Sequence, residues 1–365
     1  MKISVVGTRG FPHIQGGVER HCESLYPLIA EKEWDVTVFR RKPYITNQNE
    51  KREFRKVNFR DLWTVKNIYF EAIIHSFISS IICIYEKPDI VHIHNIGPSL
   101  VLPLLKLFRL KAVTSYHSPN YEHSKWGWFA KTILRLGENF VGWLSDDVIF
   151  ISKTQAEAVN YKNKTYIPNG VTIPKPAVSF EFISQIDVEP KKYILAVARF
   201  SPEKGLHDLI VAFKALECDY KLVIAGDADH ETNYSRNLRQ IAYEDDRIIL
   251  TGYITGEPLN QAFSHAGLFV LSSYHEGLPI VLLEALSYGL PVLVSDIPAN
   301  IEVGLPSERY FKCGDLRDLR NKMAVLIEKR LSEKEQTEIR KKIEDRYNWK
   351  KIAEQTIEVY RKAIA

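Results

Sequence analysis

Two carboxylates stand out because their surroundings do not suit them. Glu276 and Glu284 are eight residues apart, and Glu284 lies inside the apolar run from Ile280 to Leu286. A buried carboxylate without a partner is costly. Two kinds of partner would satisfy it. One is a pair of adjacent hydroxyls, as a ribose or hexose offers, because an ionised carboxylate accepts at both oxygens. The other is an Arg or Lys of the core. Gly277, Leu278 and Pro279 lead from the first glutamate into a helical pattern. Pro279 suits a first helical position, where its missing N–H costs nothing. The start of that helix offers unpaired N–H groups and the positive end of the helix dipole, a natural seat for a diphosphate.

Further residues carry chemistry in the same way. In Val197-Ala-Arg199-Phe-Ser-Pro-Glu203-Lys204-Gly205, Arg199 follows a buried strand and Lys204 follows a Ser-Pro turn. Both cations then lie at the carboxyl edge of a sheet, and the plain alternative is two solvated basic residues near a turn. Near the start, Gly7-Thr-Arg9-Gly10 is followed by Gly16-Gly17-Val18-Glu19-Arg20. Paired glycines let a backbone approach a ligand closely. The spacing is not G-x-G-x-x-G, so it gives no support to a nicotinamide site. His117 follows the strand Ala112–Tyr116; a histidine there either faces a ligand or serves structure. His92-Ile-His94 ends another strand, and the pair is expected to order a loop rather than bind metal. Asp227-Ala-Asp229 follows a strand and Gly226, and no metal site is expected there.

Glu276 and Glu284, in the context Ser-Tyr-His-Glu-Gly-Leu-Pro, form the E-x7-E pattern of the retaining glycosyltransferases of family four, and the chain resembles that family along its whole length. The resemblance implies a GT-B fold and transfer of a sugar from a nucleoside-diphosphate donor with anomeric retention. It implies that Glu284 holds the ribose and that Glu276 lies against donor-sugar hydroxyls. Arg199 and Lys204 would grip the diphosphate and stabilise the leaving group, which is electrostatic catalysis without a metal. Gly16 and Gly17 would form the family's loop facing acceptor and donor phosphate, Gly226 its turn near the nucleotide, and His117 a group near the reacting sugar. The stretch Ser118-Pro-Asn120-Tyr-Glu122 departs from the family's commoner His-Asp, so no nucleophile is named. The Gly-Thr-Arg-Gly start is similar to a subgroup that includes bacterial rhamnosyltransferases. The resemblance implies a role in bacterial surface polysaccharide synthesis, lipopolysaccharide or capsule, with a saccharide acceptor expected to be lipid-linked. No cofactor is implied. The rivals are a non-hydrolysing nucleotide-sugar epimerase and a non-catalytic nucleotide-sugar-binding protein. Arg199, Lys204, Glu276 and Glu284, all present, speak against both.

The elements that position these residues follow a βα rhythm. Short Val- and Ile-rich runs bounded by Gly, Pro, Asp or His read as parallel strands buried on both faces. In the first half they are Ile3–Val6, Val36–Phe39, Ile90–Ile93, Ala112–Tyr116, Val148–Ile151 and Thr165–Ile167. In the second they are Tyr193–Val197, Lys221–Ala225, Ile248–Leu250, Leu268–Leu271 and Val292–Ser295. The fold class expected is α/β, two doubly wound Rossmann-like domains facing across a cleft. Residues 1–175 would bind the acceptor, with a C-terminal helix over 348–365 packing back. Residues 176–347 would bind the donor.

Composition sets the remaining bounds. The chain has 365 residues, 45% hydrophobic and 26% charged, enough for two domains of ordinary size. Its four cysteines are scattered, which argues against a zinc site or a disulfide framework and for a reducing cytoplasm. Met1-Lys-Ile-Ser-Val-Val-Gly7 enters a strand directly, unlike a signal peptide. The apolar stretch Ile68 to Tyr85 contains Glu71 and His75 and is read as a buried helix rather than a membrane span. Residues 1–180 hold 24 Lys/Arg against 16 Asp/Glu, or +8, whereas residues 181–365 hold 25 against 29, or −4. A basic first half suits an anionic partner. No nucleic-acid motif accompanies it, which leaves ordinary solvated lysines, a diphosphate-linked acceptor or peripheral contact with the inner face of the plasma membrane. Trp126, Trp128, Phe129, Arg40, Arg41 and Lys42 are candidates for a lipid-linked acceptor, or else are core.

Overall fold

The structure is a computed structural model that describes residues 1–46, 54, 56–67, 70–119 and 127–365. The chain divides into two compact units, residues 1–170 with 349–365, and residues 171–348.

The first unit is built on seven strands: β1 (Lys2–Val6), β2 (Asp35–Arg41), β3 (Val57–Leu62), β4 (Ile90–His94), β5 (Ala112–Tyr116), β6 (Asp147–Phe150) and β7 (Lys164–Tyr166). They lie in the order β3-β2-β1-β4-β5-β6-β7, every pair parallel. The second unit has six: β8 (Tyr193–Val197), β9 (Lys221–Ala225), β10 (Ile248–Gly252), β11 (Leu268–Leu271), β12 (Val292–Ser295) and β13 (Tyr310–Phe311). Their order is β10-β9-β8-β11-β12-β13, again all parallel. Both sheets reverse their winding once, between β1 and β4 and between β8 and β11. Ligands of open α/β sheets bind beyond the carboxyl ends of strands at such a switch point.

β3 and β13 went unread in the sequence for a common reason. Both are edge strands, paired on one side only. β3 reads Val-Asn-Phe-Arg-Asp-Leu and is largely solvated, and β13 is two residues long. Neither forms the continuous apolar run of a strand covered on both faces.

The last helix, Trp349–Ile364, belongs to the first unit. Its Trp349, Ile352, Ile357 and Tyr360 share one buried cluster with Cys22, Leu25, Tyr26 and Ile29 of helix Gly17–Glu31. Gly170 admits this contact: a Cβ there would lie 2.5 Å from Trp349 Cδ2.

One expectation is reversed in its packing. Helix Glu71–Glu86 buries Glu71, His75, Ser76, Ser79, Ser80 and Cys83 and exposes Phe70, Phe77, Ile81 and Tyr85 beside them. The small and polar face goes inward because it fits closely against the sheet: Ser79 and Ser80 donate to the carbonyls of His75 and Ser76 four residues back, and need no outside partner. Among the described residues no helix is long and apolar enough to cross a membrane.

Candidate active site

In the second unit, two loops at the switch point are stitched together. The turn Pro202–Lys204 follows β8, and the segment 272–276 follows β11. Tyr274 N donates to Glu203 O over 2.8 Å, and Ser272 Oγ donates to Lys204 O over 3.0 Å. Gly205 closes the turn at φ +61°, and a Cβ there would lie 2.1 Å from Ser272 O. The loops therefore carry their side chains to one place. Lys204 Nζ donates to Glu276 Oε1 over 2.7 Å, and Ser273 Oγ donates to the same oxygen over 2.7 Å. Lys204 and Glu276 side chains are only 17% and 10% exposed, so their attraction is little screened.

Arg199 follows the same strand, β8, two residues past its end. It pairs with Asp229 over 2.8 Å and lies 3.8 Å from Glu203. Asp227 is paired in turn with Arg239 over 2.5 Å. Both acids of the Asp-Ala-Asp stretch thus answer arginines. Gly226 adopts φ +133°, with Ala198 O 2.0 Å from where a Cβ would be, and its N–H donates to Gly252 O. Only glycine lets the β8 and β9 ends approach so closely.

Helix Ile280–Ser287 begins after this loop, with Pro279 in extended conformation as its N-cap rather than as its first helical residue. The carbonyl of Pro279 accepts from Leu282 and Leu283. The proline therefore starts the helix from outside, and the N–H groups of its first turn lie just beyond buried Leu278. Glu284 sits in the second turn and is half-buried; Gly277, between Glu276 and the helix, is half-buried as well.

In the first unit, Gly16 caps helix Gly17–Glu31 at φ +148°, and the buried carboxylate of Glu19 fills the space where its Cβ would be, 2.0 Å away. Gly17 has nothing within 4 Å of its Cβ position. Glu19 accepts from Arg9 N over 3.0 Å and lies 3.6 Å from the Arg9 guanidinium. The loop that follows β1 is therefore folded around one acid.

His117 does not stand alone. His94 Nδ1 and His117 Nε2 are 2.9 Å apart, and His94 Nε2 is 2.5 Å from Tyr26 OH. His92 Nδ1 meets Tyr360 OH at 2.6 Å and Tyr26 OH at 2.8 Å, and His92 Nε2 meets Ser115 Oγ at 2.8 Å. His21 joins through Asn169 Oδ1, 2.8 Å from its Nδ1, and stands edge-on to His117. All four imidazoles are buried. Burial holds His21 down to about 4 and His92 to about 3, and drives His94 and His117 well below the usual imidazole range. They are neutral at pH 7. Ring nitrogens of His21, His94 and His117 lie within 4.8 Å of one another. Ligands of one tetrahedral zinc stand roughly 3.3 Å apart, given bonds of 2.0–2.1 Å. Here His94 and His117 satisfy each other instead.

His21, Tyr26, Asn169 and Tyr360 were not singled out in the sequence. His21 and Tyr26 stand on the apolar face of a helix, which reads as core. Tyr360 lies 268 residues from His92, beyond any local pattern. Two residues advanced for the acceptor are corrected. Arg40 is fully buried and bridges Asp61 at 2.6 and 2.9 Å, and Arg41 is buried against Glu71 at 2.9 Å. The end of β2 is inside the unit, where an arginine persists only when a carboxylate answers it. Lys42, Trp128 and Phe129 are exposed, whereas Trp126, Asn120 and Glu122 lie outside the described residues.

Two Rossmann-like sheets, the second carrying paired cations at its switch point, define a protein of the GT-B class. Residues 15–173 match the Glycosyltransferase Family 4 domain, and residues 179–346 match the Glycosyl transferases group 1 domain. The chain belongs to the GT-B glycosyltransferases, enzymes that transfer glycosyl groups. It is 26% identical to an uncharacterized glycosyltransferase of Methanocaldococcus jannaschii, over 100% of this chain and 99% of the relative. Among solved structures it resembles sucrose-phosphate synthase of Thermosynechococcus elongatus, with a TM-score of 0.83 at 21% identity over 99% and 98% of the two chains. It also resembles the Anabaena HepE protein in complex with UDP-glucose, with a TM-score of 0.79 at 18% identity over 98% of each chain.

Proposed function

We propose that this chain transfers a hexosyl or deoxyhexosyl group from a nucleoside-diphosphate sugar to a hydroxyl of a saccharide acceptor, with retention at the anomeric carbon and without a metal. The observation that carries this reading is the meeting of Lys204 and Glu276 at the switch point of the second sheet, where Arg199 follows the same strand as Lys204. A departing diphosphate gathers negative charge, and preformed cations aimed at that charge lower the barrier without reorganisation. Arg199, Lys204 and the first turn of helix Ile280–Ser287 do this work. Gly226 and Gly277 let the nucleotide approach the backbone. Glu284 holds the ribose and Glu276 the sugar. The Gly16-Gly17 loop and His117 serve the acceptor side and the reacting sugar.

The acceptor is lipid-linked in this reading, and the protein acts in the cytoplasm, peripherally at the inner face of the plasma membrane, in surface polysaccharide synthesis. In support, helix Trp128–Leu144 exposes Trp128, Leu136 and Trp143 along one stripe at 79%, 43% and 72%. Lys131 and Arg135 stand on the same helix, in the half of the chain that carries the positive charge. Aromatic and basic residues together suit an anionic lipid surface.

The test is a titration of the full chain with UDP, GDP, dTDP and their sugars, read by thermal unfolding and by slow donor hydrolysis. A true ligand at 100 times its Kd adds about 2.7 kcal/mol of stability. Binding of one base class, followed by turnover of its sugar, is the expected result. Absence of binding by every nucleotide in the panel would end the reading.

A further inference from the structure

The chain of imidazoles and hydroxyls behind His117 fixes where its proton sits. Each neutral imidazole has one N–H and one bare nitrogen, and each hydroxyl has one proton to give. His92 Nδ1 meets two tyrosine hydroxyls and can take a proton from one. Tyr360 is the nearer, at 2.6 Å against 2.8 Å. With Tyr360 donating there, the N–H of His92 is at Nε2 and donates to Ser115 Oγ. Tyr26 also stands beside Tyr360, but its shortest contact is His94 Nε2 at 2.5 Å, and its proton goes there. His94 must in turn carry its own proton at Nδ1, which donates to His117 Nε2 over 2.9 Å. The protons of Tyr360, His92, Tyr26 and His94 each meet an acceptor of their own in this arrangement. In the reverse arrangement Tyr26 donates to His92, and Tyr360 is displaced from the closer contact.

The consequence falls on the far nitrogen of His117. Its Nε2 is occupied as an acceptor, so its proton is at Nδ1, which has no hydrogen-bond partner among the described residues. We propose that Tyr26, acting through His94, is a positioning residue that holds His117 as the Nδ1–H tautomer, so that His117 presents a neutral hydrogen-bond donor and not a base. Such a donor recognises an oxygen lone pair, here a hydroxyl oxygen of the transferred sugar. Only that last choice of ligand rests on the glycosyl-transfer reading.

His21 tightens the assignment. Its Nδ1 is engaged by Asn169 Oδ1, which can only accept, so His21 carries its proton there and points a bare, buried Nε2 with no partner toward its neighbours. It competes with none of the protons in the chain.

The test is nitrogen-detected NMR of the full protein labelled with 15N-histidine, which shows directly which ring nitrogen bears the proton. Assignment uses His117→Gln and His94→Gln. Wild type is expected to show His117 protonated at Nδ1 and His94 protonated at Nδ1. In Tyr26→Phe the proton supplied to His94 Nε2 is lost, and the His117 signal is expected to move toward the Nε2–H form. Circular dichroism and unfolding of Tyr26→Phe check that the fold is kept. If that variant does not fold, the wild-type tautomer alone decides the matter. A bare His117 Nδ1 in wild type overturns the proposal, as does a His117 signal unmoved in a folded Tyr26→Phe. So does a coordinated shift of His21, His94 and His117 on treatment with a chelator, which would mean that a metal organises the cluster. None of these readouts needs activity. Failure of nucleotide binding leaves the tautomer standing, and a wrong tautomer leaves nucleotide binding to the second unit intact.

Discussion

Lys204 Nζ and Glu276 Oε1 are 2.7 Å apart, and Ser273 Oγ donates to that same oxygen. The ammonium is thus neutralised by a carboxylate that the ligand must partly displace. A phosphate offers Lys204 more charge than Glu276 does, and Ser273 keeps Glu276 in place when Lys204 turns away. Lys204→Ala should weaken nucleoside-diphosphate binding roughly 10- to 150-fold, the worth of one charged hydrogen bond of about 1.5–3 kcal/mol. Glu276→Gln should leave that affinity unchanged or raise it, because the competing charge is gone, and should cut transfer more than about tenfold. Calorimetric titration with the free diphosphate separates the two. Equal loss in both variants would show that the pair acts as one structural unit.

The paired loops of the second unit were more legible in the sequence than the histidine cluster of the first, for a physical reason. Arg199, Lys204, Glu276 and Pro279 lie in two short loops, each next to a buried strand whose apolar run marks where the loop begins. The chemistry is local to each segment, and the strand order brings the segments together. The His117 side draws on helix Gly17–Glu31, β4, β5, Asn169 and the last helix, and 268 residues separate His92 from Tyr360 alone. No period or turn signal spans that distance. Arg40 and Arg41 misled because basic residues at a strand end read as solvated, whereas Asp61 and Glu71, from a neighbouring strand and helix, draw them inside.

The two left-handed glycines Gly205 and Gly252 separate strain from clash. Both have positive φ, +61° and +70°, but a Cβ on Gly205 meets Ser272 O at 2.1 Å and one on Gly252 meets nothing within 4 Å. Gly252→Ala should cost about 1 kcal/mol, the backbone penalty alone. Gly205→Ala should cost more, at about 2–4 kcal/mol, because the stitched loops must also part. Urea unfolding of the two variants gives the comparison. Similar losses would mean that the loop contact is soft.

Burial of the histidine cluster makes the first unit sensitive to acid. His21 titrates near 4 and His92 near 3 in the folded chain, against about 6.5 when unfolded. Between those values the unfolded chain binds protons that the folded chain refuses. The stability these groups allow is complete above about pH 6.5 and falls as pH drops toward 4, by about 1 kcal/mol per pH unit for each histidine. Denaturant midpoints should therefore hold from pH 7.5 to about 6.5 and fall steeply from there to about pH 5. His92→Gln should make that slope shallower by about one histidine's share, whatever it does to stability at pH 7.5. A slope unchanged in His92→Gln would mean that this imidazole already titrates normally.

The exposed stripe of helix Trp128–Leu144 makes the lipid reading testable apart from catalysis. Trp128, Leu136 and Trp143 are spaced at eight and seven residues, so they share one helix face, and all three are solvated. Exposed side chains contribute little to folding, so Trp128→Ser with Trp143→Ser should shift stability by no more than about 0.5 kcal/mol per site. On an anionic vesicle the same two indoles enter the headgroup region and remove apolar surface from water. The double variant should bind vesicles containing phosphatidylglycerol at least tenfold more weakly than wild type in a sedimentation assay. Added salt should weaken both, since Lys131, Arg135 and the excess positive charge of the first half act through a screened field. Wild-type protein that stays in the supernatant at low salt would rule out the surface contact and leave a soluble acceptor.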